Sequence, residues 1–523
     1  MTGIFARGKT LNRTKNVIRN IRWGFIHRTI SILLPFIVRT VLIYSLSASY
    51  AGLNGLFSSV LSILSLAELG ISKAITFSMY IPVSKGDDDK VCALLNVYRK
   101  AYRVIGGVIL LLGLMLMPFL GFLIHGDVPA DINIYLLFGI YLLNTVISYF
   151  LFGYKSCILS VNQREDIISK ASVTTNIILH AIQCALLITI RNYYVYIILV
   201  PLFTAFHNLL TNYWTKKIYP QYTPRGSINE EEYKDLKKRI AGLLIWKVGG
   251  ATRNTFDSIV ISAYLGLVTV AIYNNYWLII SAVNGVLSII SSSMVASVGN
   301  KMATDTPEDN YKDFHKFHFI YMWISGWCMI CLLCLFQPFM KQWMGEDLMF
   351  PFTIVILFCY LFFKQKEGDI SSVYYQAAGL WWEGKWRSVI EAASNLTLNL
   401  ILGKHFGVTG ILLATIISCN IAYFYGSRFI FICYFKNDKT KRFFLENLLY
   451  LSMTSAAGFL TYRMIELVQL NSAILRSSFA LLICIVVPNA VFLLLYSLNK
   501  QTKSYIKYGE RSLLRMAGRN IER

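Results

Sequence analysis

Apolar stretches about 20 residues long recur through this chain from residue 23 to residue 498. Each stretch is long enough to cross the hydrocarbon core of a bilayer as an α-helix. The chain has 523 residues, of which 55% are hydrophobic and only 15% are charged, so a water-soluble fold of this size would lack the polar surface to cover its core. We therefore predict an all-α polytopic membrane protein.

The limits of the apolar stretches predict fourteen transmembrane helices. These lie at 23–46, 53–81, 101–124, 132–154, 169–190, 193–215, 242–265, 269–297, 318–342, 349–379, 386–404, 408–434, 445–466 and 473–498. LIYSLSASYAGLNGLF (42–57) and IVISAYLGLVTVAIYN (259–274) each combine the end of a span, a short turn of small residues and the start of a new span. This weak repeat predicts two six-helix lobes and two further helices, an arrangement typical of transporters whose site lies between two halves.

The connections between the spans divide the chain into segments. We predict a basic cytoplasmic N-terminus at 1–22, an N-lobe at 23–218, a cytoplasmic amphipathic linker at 219–241, a C-lobe at 242–434, two last helices at 435–498 and a basic cytoplasmic tail at 499–523. In the linker, Ser227 and Glu230 have the spacing of a capping box, which predicts the start of the helix that enters the seventh span.

The formal net charge of +22 is concentrated in alternate connections. Lys and Arg cluster in the N-terminus, the loop at 85–100, the 216–240 loop, the 435–444 loop and the tail, whereas 47–50, 125–131 and 266–269 are nearly free of them. This distribution follows the positive-inside rule and places both termini in the cytoplasm. The basic charge therefore indicates membrane lipids as partners, and nucleic acid is not expected.

Ionised side chains also fall inside the predicted spans. A charge in the hydrocarbon costs at least about 2.5–3.5 kcal/mol, so these residues should face protein or water. Cations outnumber acids among them, which predicts a hydrated cavity lined by the first, second, seventh and tenth helices that attracts an anionic substrate. Guanidinium groups suit phosphate because they form bidentate hydrogen bonds. The candidate substrate-binding residues are Arg39, Arg253, Lys364, Arg28, Lys73, Lys247 and Lys366.

Arg39 is the cation for which a purely structural role is hardest to argue, because it lies past the middle of the first span, HRTISILLPFIVRTVLIYSL (27–46). Arg28 is eleven residues earlier, close to three helical turns, and shares its face. Arg28 and Lys247 could instead extend their charges to the cytoplasmic interface. For FFKQKEGDI (362–370) we predict a helix broken near Gly368.

Acids in the same spans are candidates for ion pairing or for coupling transport to an exchanged ion. Arg253 and Asp257 are one turn apart and could form a structural pair. Glu68, shortly before Gly70, could support a bend through bonds to neighbouring backbone. The acidic candidates are Asp257, Glu68, Glu367, Asp369 and Glu391.

No Walker loop, zinc-ligand spacing or Ser-His-Asp arrangement appears in the sequence. We therefore expect no enzymatic activity, no metal and no cofactor. Energy for transport would come from an ion gradient, from the membrane potential or from removal of the product.

Four stretches follow the pattern of one protein family. The first combines SYAGLNGLF with LSILSLAELGISKAI shortly after it. The others are DSIVISAYLGLVTVAIYNNYWLI (257–279), YKSCILSVNQREDII (154–168) and YYQAAGLWWEGKWRSVIEAASNLTLNLILGKHFGVTGILLATIIS (374–418). The 374–418 stretch is the most specific of the four. They resemble the polysaccharide flippases of the MOP (MATE-like) superfamily, of the O-antigen and teichoic-acid exporter type. The resemblance covers most of the chain.

The resemblance implies a flippase in the bacterial cytoplasmic membrane that moves an undecaprenyl-diphosphate-linked oligosaccharide to the outer leaflet by alternating access, for cell-surface polysaccharide synthesis. It implies a cationic cavity for the diphosphate, with Arg39, Arg253 and Asp257 in its lumen, and glycosyltransferases or a polymerase of the same pathway as partners. One alternative is a MATE-type drug or cation antiporter, whose lumen should be acidic or aromatic. Another is a membrane polysaccharide polymerase, which generally uses a substantial outer loop.

Overall fold

The structure is a computed structural model that describes residues 13–380, 385–436, 438–468, 473–499 and 502–506. Side chains are described for all of these except residues 13–18, 67, 69, 246–254, 473 and 474. In these ranges the chain consists of helices and their connections, with no β-strand. The prediction of an all-α fold is therefore confirmed.

The chain divides into two compact units, Met1–Ala271 and Ile272–Arg523. The helices of the first unit are α1 (Arg13–Ser45), α2 (Ala48–Leu64), α3 (Glu68–Lys85), α4 (Asp88–Leu116), α5 (Ile134–Phe150), α6 (Ser156–Val161), α7 (Glu165–Thr189), α8 (Tyr193–Ile218) and α9 (Glu230–Leu265). Helix α10 (Leu267–Thr304) begins in the first unit and continues into the second. The second unit then contains α11 (Pro307–Met344), α12 (Phe352–Glu367), α13 (Asp369–Ala377), α14 (Lys385–Cys433), α15 (Thr440–Glu466) and α16 (Ala473–Ser497).

Each predicted span overlaps one of these helices or a pair of them. Within the described residues, nine helices are long and apolar enough to cross a membrane, or ten if α5 and the segment Gly153–Val161, bent by 48°, form one span. Helix α2 and the segment Thr255–Leu265 are apolar but shorter. The count of fourteen crossings and the cytoplasmic position of both termini stay predictions.

Helix α14 reverses direction at Gly407, where φ is 57° and ψ is −137°. Glycine adopts this conformation because it carries no Cβ. The side-chain amide of Asn395 donates to Thr415 Oγ1 at 3.0 Å and to Ser418 Oγ at 3.3 Å. Twenty residues of straight helix would separate these groups by about 30 Å, so the two parts of α14 lie antiparallel. They correspond to the spans predicted at 386–404 and 408–434.

The predicted break at Gly368 is confirmed, because α12 ends at Glu367 and α13 begins at Asp369. A Cβ added to Gly368 would lie 3.0 Å from Cδ2 of Tyr423 in α14. The small residue therefore lets an aromatic ring of another helix pack against the break.

The start of α9 differs from the predicted capping box. Asn229, and not Ser227, is the N-cap, and its side chain accepts a hydrogen bond from the backbone N–H of Glu232 at 2.8 Å. The helix that follows is continuous to Leu265 and packs with α2 and α3 in the first unit. The assignment of 219–241 as a linker between an N-lobe and a C-lobe stays a prediction.

Helices α1 and α7 are joined by one buried carboxylate, Asp166, in the QRED part of the 154–168 stretch. Arg19 and Arg164 each place Nε 3.0 Å from Asp166 Oδ1, and Lys170 lies 3.6 Å from Oδ2. The backbone N–H of Asp166 donates to Asn20 Oδ1 at 3.1 Å. Because a buried carboxylate needs compensating charge and donors, this cluster fixes the first helix against the seventh.

Candidate functional site

Arg39 is half-buried in α1, four residues after Pro35. Its Nη2 donates a hydrogen bond to the backbone carbonyl of Ala271 at 2.9 Å. Tyr193 and Tyr196 of α8 lie within electrostatic range of the guanidinium. The carbonyl fixes the position of one guanidinium nitrogen, and a guanidinium has further N–H donors in the same plane.

The other cations predicted in the first unit have different environments. Arg28 is exposed on α1, and Lys73 is exposed on α3 with no ion pair to any described residue. The side chains of Lys247 and Arg253 lie outside the described residues, as does the predicted pair between Arg253 and Asp257. Asp257 itself is fully buried in α9.

Glu68 lies where the chain passes from α2 to α3 through a short 3₁₀ turn at Ser65–Ala67. Tyr102 of α4 donates to Glu68 Oε1 at 2.6 Å, and Tyr149 of α5 donates to Oε2 at 2.7 Å. Tyr98 donates in turn to the hydroxyl of Tyr102 at 3.0 Å. The carboxylate is therefore held by hydroxyls of two other helices, and not by the neighbouring backbone that the sequence suggested.

Four of the predicted site residues of the second unit form two ion pairs where α12 ends and α13 begins. Lys364 donates to Glu367 at 2.6 Å, and Lys366 donates to Asp369 at 2.7 Å. Asp369 also accepts a hydrogen bond of 2.5 Å from Tyr321. These two lysines are balanced by acids, so this segment supplies no excess of positive charge.

Glu391, the remaining acidic candidate, is buried in α14. Glu367 is also fully buried, and its Oε1 has no hydrogen-bond partner among the described residues. The charge of Glu367 is balanced by the ammonium group of Lys364.

A cavity of about 340 Å³ in the first unit was not foreseen from the sequence. We call it the polar cleft. Its polar lining comes from α2, the 3₁₀ turn that follows α2, α5 and α8. The polar lining residues are Asn54, Ser58, Ser62, Ser65, Tyr141, Asn144, Thr145 and Tyr196. The spacing of four, four and three residues from Asn54 to Ser65 places these side chains on one helix face, which was a signal available in the sequence.

No protein-family profile matches the chain, and no curated protein matches it in sequence. Solved structures do match it in fold. The lipid II flippase MurJ in an inward closed conformation is similar with a TM-score of 0.64 at 16% identity, covering 92% of this chain and 99% of that one. An inward-facing multidrug resistance MATE family transporter of the MOP superfamily has a TM-score of 0.56 at 13% identity, covering 77% of this chain and 96% of that one.

A MOP superfamily transporter from Pyrococcus furiosus, described as having a binding pocket of reverse polarity, has a TM-score of 0.52 at 13% identity, covering 81% of this chain and 96% of that one. All three are transporters or flippases, and the match extends over nearly the whole of each. At these identities the likeness establishes the architecture. The chain therefore has the fold of the MOP-superfamily transporters.

Proposed function

We propose that this chain is a flippase that translocates an undecaprenyl-diphosphate-linked oligosaccharide across the bacterial cytoplasmic membrane by alternating access. The fold supports transport, since one similar structure is a lipid II flippase and others are MATE transporters. The choice of an anionic lipid over a cationic drug rests on the charge inside the first helix.

The observation that carries the proposal is the environment of Arg39. A guanidinium in a membrane helix is costly unless it faces protein, water or a ligand. Arg39 lies half-buried inside the first helix and donates from Nη2 to the backbone carbonyl of Ala271 at 2.9 Å. A diphosphate would bind such a group with charge-assisted, bidentate hydrogen bonds.

These contacts support the following mechanism. The diphosphate binds Arg39 from the cytoplasmic leaflet while the polyprenyl chain stays in lipid, and the change of access then presents the headgroup to the other side. The membrane potential or an ion exchanged at Asp257, Glu68 or Glu367 drives the return. Arg28 and Lys73, both exposed, are suited to attract the headgroup before it reaches Arg39.

The direct test is Arg39→Ala in the full chain, reconstituted in nanodiscs and titrated with undecaprenyl diphosphate. We expect at least a tenfold loss of affinity, with the protein still inserted and folded. Arg463→Ala is the matched control, because Arg463 forms an exposed pair with Glu466 in α15. It should bind like the unmodified chain.

The same preparation distinguishes the drug-antiporter alternative. A MATE-type antiporter should bind ethidium or another aromatic cation, and removing a positive charge at residue 39 should strengthen that binding. Tight binding of the cation together with unchanged binding of undecaprenyl diphosphate in Arg39→Ala would reject the proposed substrate.

A further inference from the structure

We infer that the polar cleft of the first unit binds a sugar unit of the substrate while Arg39 holds its diphosphate. This inference rests on the proposed function and adds a second subsite with a different chemistry. The cleft differs from the Arg39 site in charge. None of the side chains described as lining it is Asp, Glu, Lys, Arg or His, so it offers no charge to a phosphate.

The polar groups of the cleft retain unused capacity for hydrogen bonds. Thr204 donates to Asn144 Oδ1 at 2.8 Å, which fixes the amide and leaves its NH₂ group for another acceptor. Ser58 donates to Asn54 Oδ1 at 3.2 Å, so the NH₂ group of Asn54 is left in the same way. The cleft thus presents two oriented donor groups.

Acceptors alternate with these donors. The hydroxyls of Ser65 and Thr145 donate to the backbone carbonyls of Leu61 and Tyr141 at 2.8 and 3.0 Å, so their oxygens keep lone pairs for an incoming donor. Ser62 makes no side-chain hydrogen bond to any described residue. Each hydroxyl of a sugar is both donor and acceptor, and therefore matches a neutral surface that offers both.

Tyrosine rings supply the apolar component that sugar rings require. Tyr141 and Tyr196 line the cleft, and the Tyr141 hydroxyl is hydrogen-bonded to that of Tyr193 at 2.9 Å. Tyr193 and Tyr196 stack with ring centroids 5.5 Å apart, which fixes the orientation of the wall. Aromatic rings with a fixed orientation pack well against the C–H faces of a pyranose.

The polar cleft and Arg39 share a neighbouring residue, Tyr196. Tyr196 lines the cleft and also lies within electrostatic range of the guanidinium. In a diphosphate-linked glycan the first sugar is attached directly to the phosphate, so a phosphate site and a sugar site must be neighbours. A volume of about 340 Å³ is at the lower end of the range for small-ligand pockets and suits a short saccharide.

The test compares undecaprenyl diphosphate with a panel of undecaprenyl-diphosphate-linked monosaccharides carrying glucose, galactose, N-acetylglucosamine or N-acetylgalactosamine. The full chain in nanodiscs is titrated with each lipid. We expect at least one sugar-bearing lipid to bind about tenfold more tightly than the bare lipid. Equal affinity for the bare lipid and the entire panel would overturn the inference.

Two variants connect this preference with the cleft. Ser62→Ile fills the cleft without breaking any hydrogen bond described for Ser62, and Asn144→Leu removes an oriented donor. Both should abolish the preference for the sugar and leave affinity for the bare lipid unchanged. Ser452→Ile, on the exposed face of α15, is the control and should keep the preference. A thermal unfolding scan confirms that each variant is folded.

The two proposals fail in distinguishable ways. If Arg39→Ala does not alter binding of the bare lipid, the diphosphate site is wrong whatever the cleft does. If the bare lipid depends on Arg39 but Ser62→Ile keeps the full preference for the sugar, the proposed function stands and the sugar subsite is rejected.

Discussion

The guanidinium of Arg39 in α1 donates a hydrogen bond to the backbone carbonyl of Ala271 in α10, at 2.9 Å and across 232 residues of sequence. The contact joins the first helix to the beginning of the helix that crosses from the first compact unit into the second. From the sequence, Arg39 is recognisable only as a charge inside a membrane span. In the structure its side chain also connects two helices through a hydrogen bond.

Replacing Arg39 with Lys separates the contribution of its charge to substrate affinity from the contribution of its planar shape. The ammonium keeps the positive charge but loses the planar set of donors that can hold a carbonyl and a phosphate together. We expect affinity for undecaprenyl diphosphate to fall, but by a smaller factor than in Arg39→Ala. The titration in nanodiscs measures both. Equal affinity of the Lys variant and the unmodified chain would show that charge alone matters at this position.

Gly52 of α2 permits a close approach between its own backbone and that of the 265–267 turn. A Cβ built there would lie 2.0 Å from the backbone oxygen of Leu267. Gly52→Ala must push the two segments apart, and we expect it to lower the free energy of unfolding by about 3 kcal/mol. Thermal or denaturant unfolding of the purified protein measures the change.

Gly107 of α4 provides the matched control, because a Cβ there meets nothing within 4 Å. Gly107→Ala should leave stability unchanged or raise it by up to about 1 kcal/mol, since alanine favours helix. Similar destabilisation by both substitutions would contradict the close contact at Gly52.

Glu68 and its two tyrosines should behave as a coupled unit. Tyr149→Phe removes one of two hydrogen bonds to the carboxylate and should cost about 1.5–3 kcal/mol of stability, the range for bonds to charged groups. Tyr135→Phe, on the exposed start of α5, is the control and should be nearly neutral. A double-mutant cycle with Glu68→Gln measures the coupling, and simple additivity of the two changes would argue against the contact.

Lys364 and Glu367 should tolerate joint removal better than the loss of one partner. Lys364→Met leaves the fully buried Glu367 without its cation, and we expect a loss of about 3–5 kcal/mol. The double variant Lys364→Met/Glu367→Met should recover most of it, because both desolvation costs disappear. Lys312→Met, which breaks the exposed pair with Asp309, should leave the free energy of unfolding nearly unchanged. A double variant no more stable than Lys364→Met would refute the pairing.

The sequence alone determined the fold class, the approximate positions of the helices and the break at Gly368. These properties are local. Whether a segment crosses a bilayer depends on the apolarity of about 20 consecutive residues, and a charge inside such a segment is conspicuous because it is costly. Arg39, Glu68 and the Lys364–Asp369 segment were therefore recognisable from the order of the residues.

Tertiary structure alone decided what these charges contact. Glu68 meets Tyr102 and Tyr149 because three helices pack around it, and Arg39 meets the carbonyl of Ala271 because α1 packs against the start of α10. The pairs Lys364–Glu367 and Lys366–Asp369 are the exception, since residues three apart are neighbours along the chain. The spacing of Asn54, Ser58, Ser62 and Ser65 places polar side chains on one helix face, but the sequence does not show which helices that face meets to form the polar cleft. It exists only because α2, α5 and α8, distant in sequence, turn their neutral polar faces toward one space.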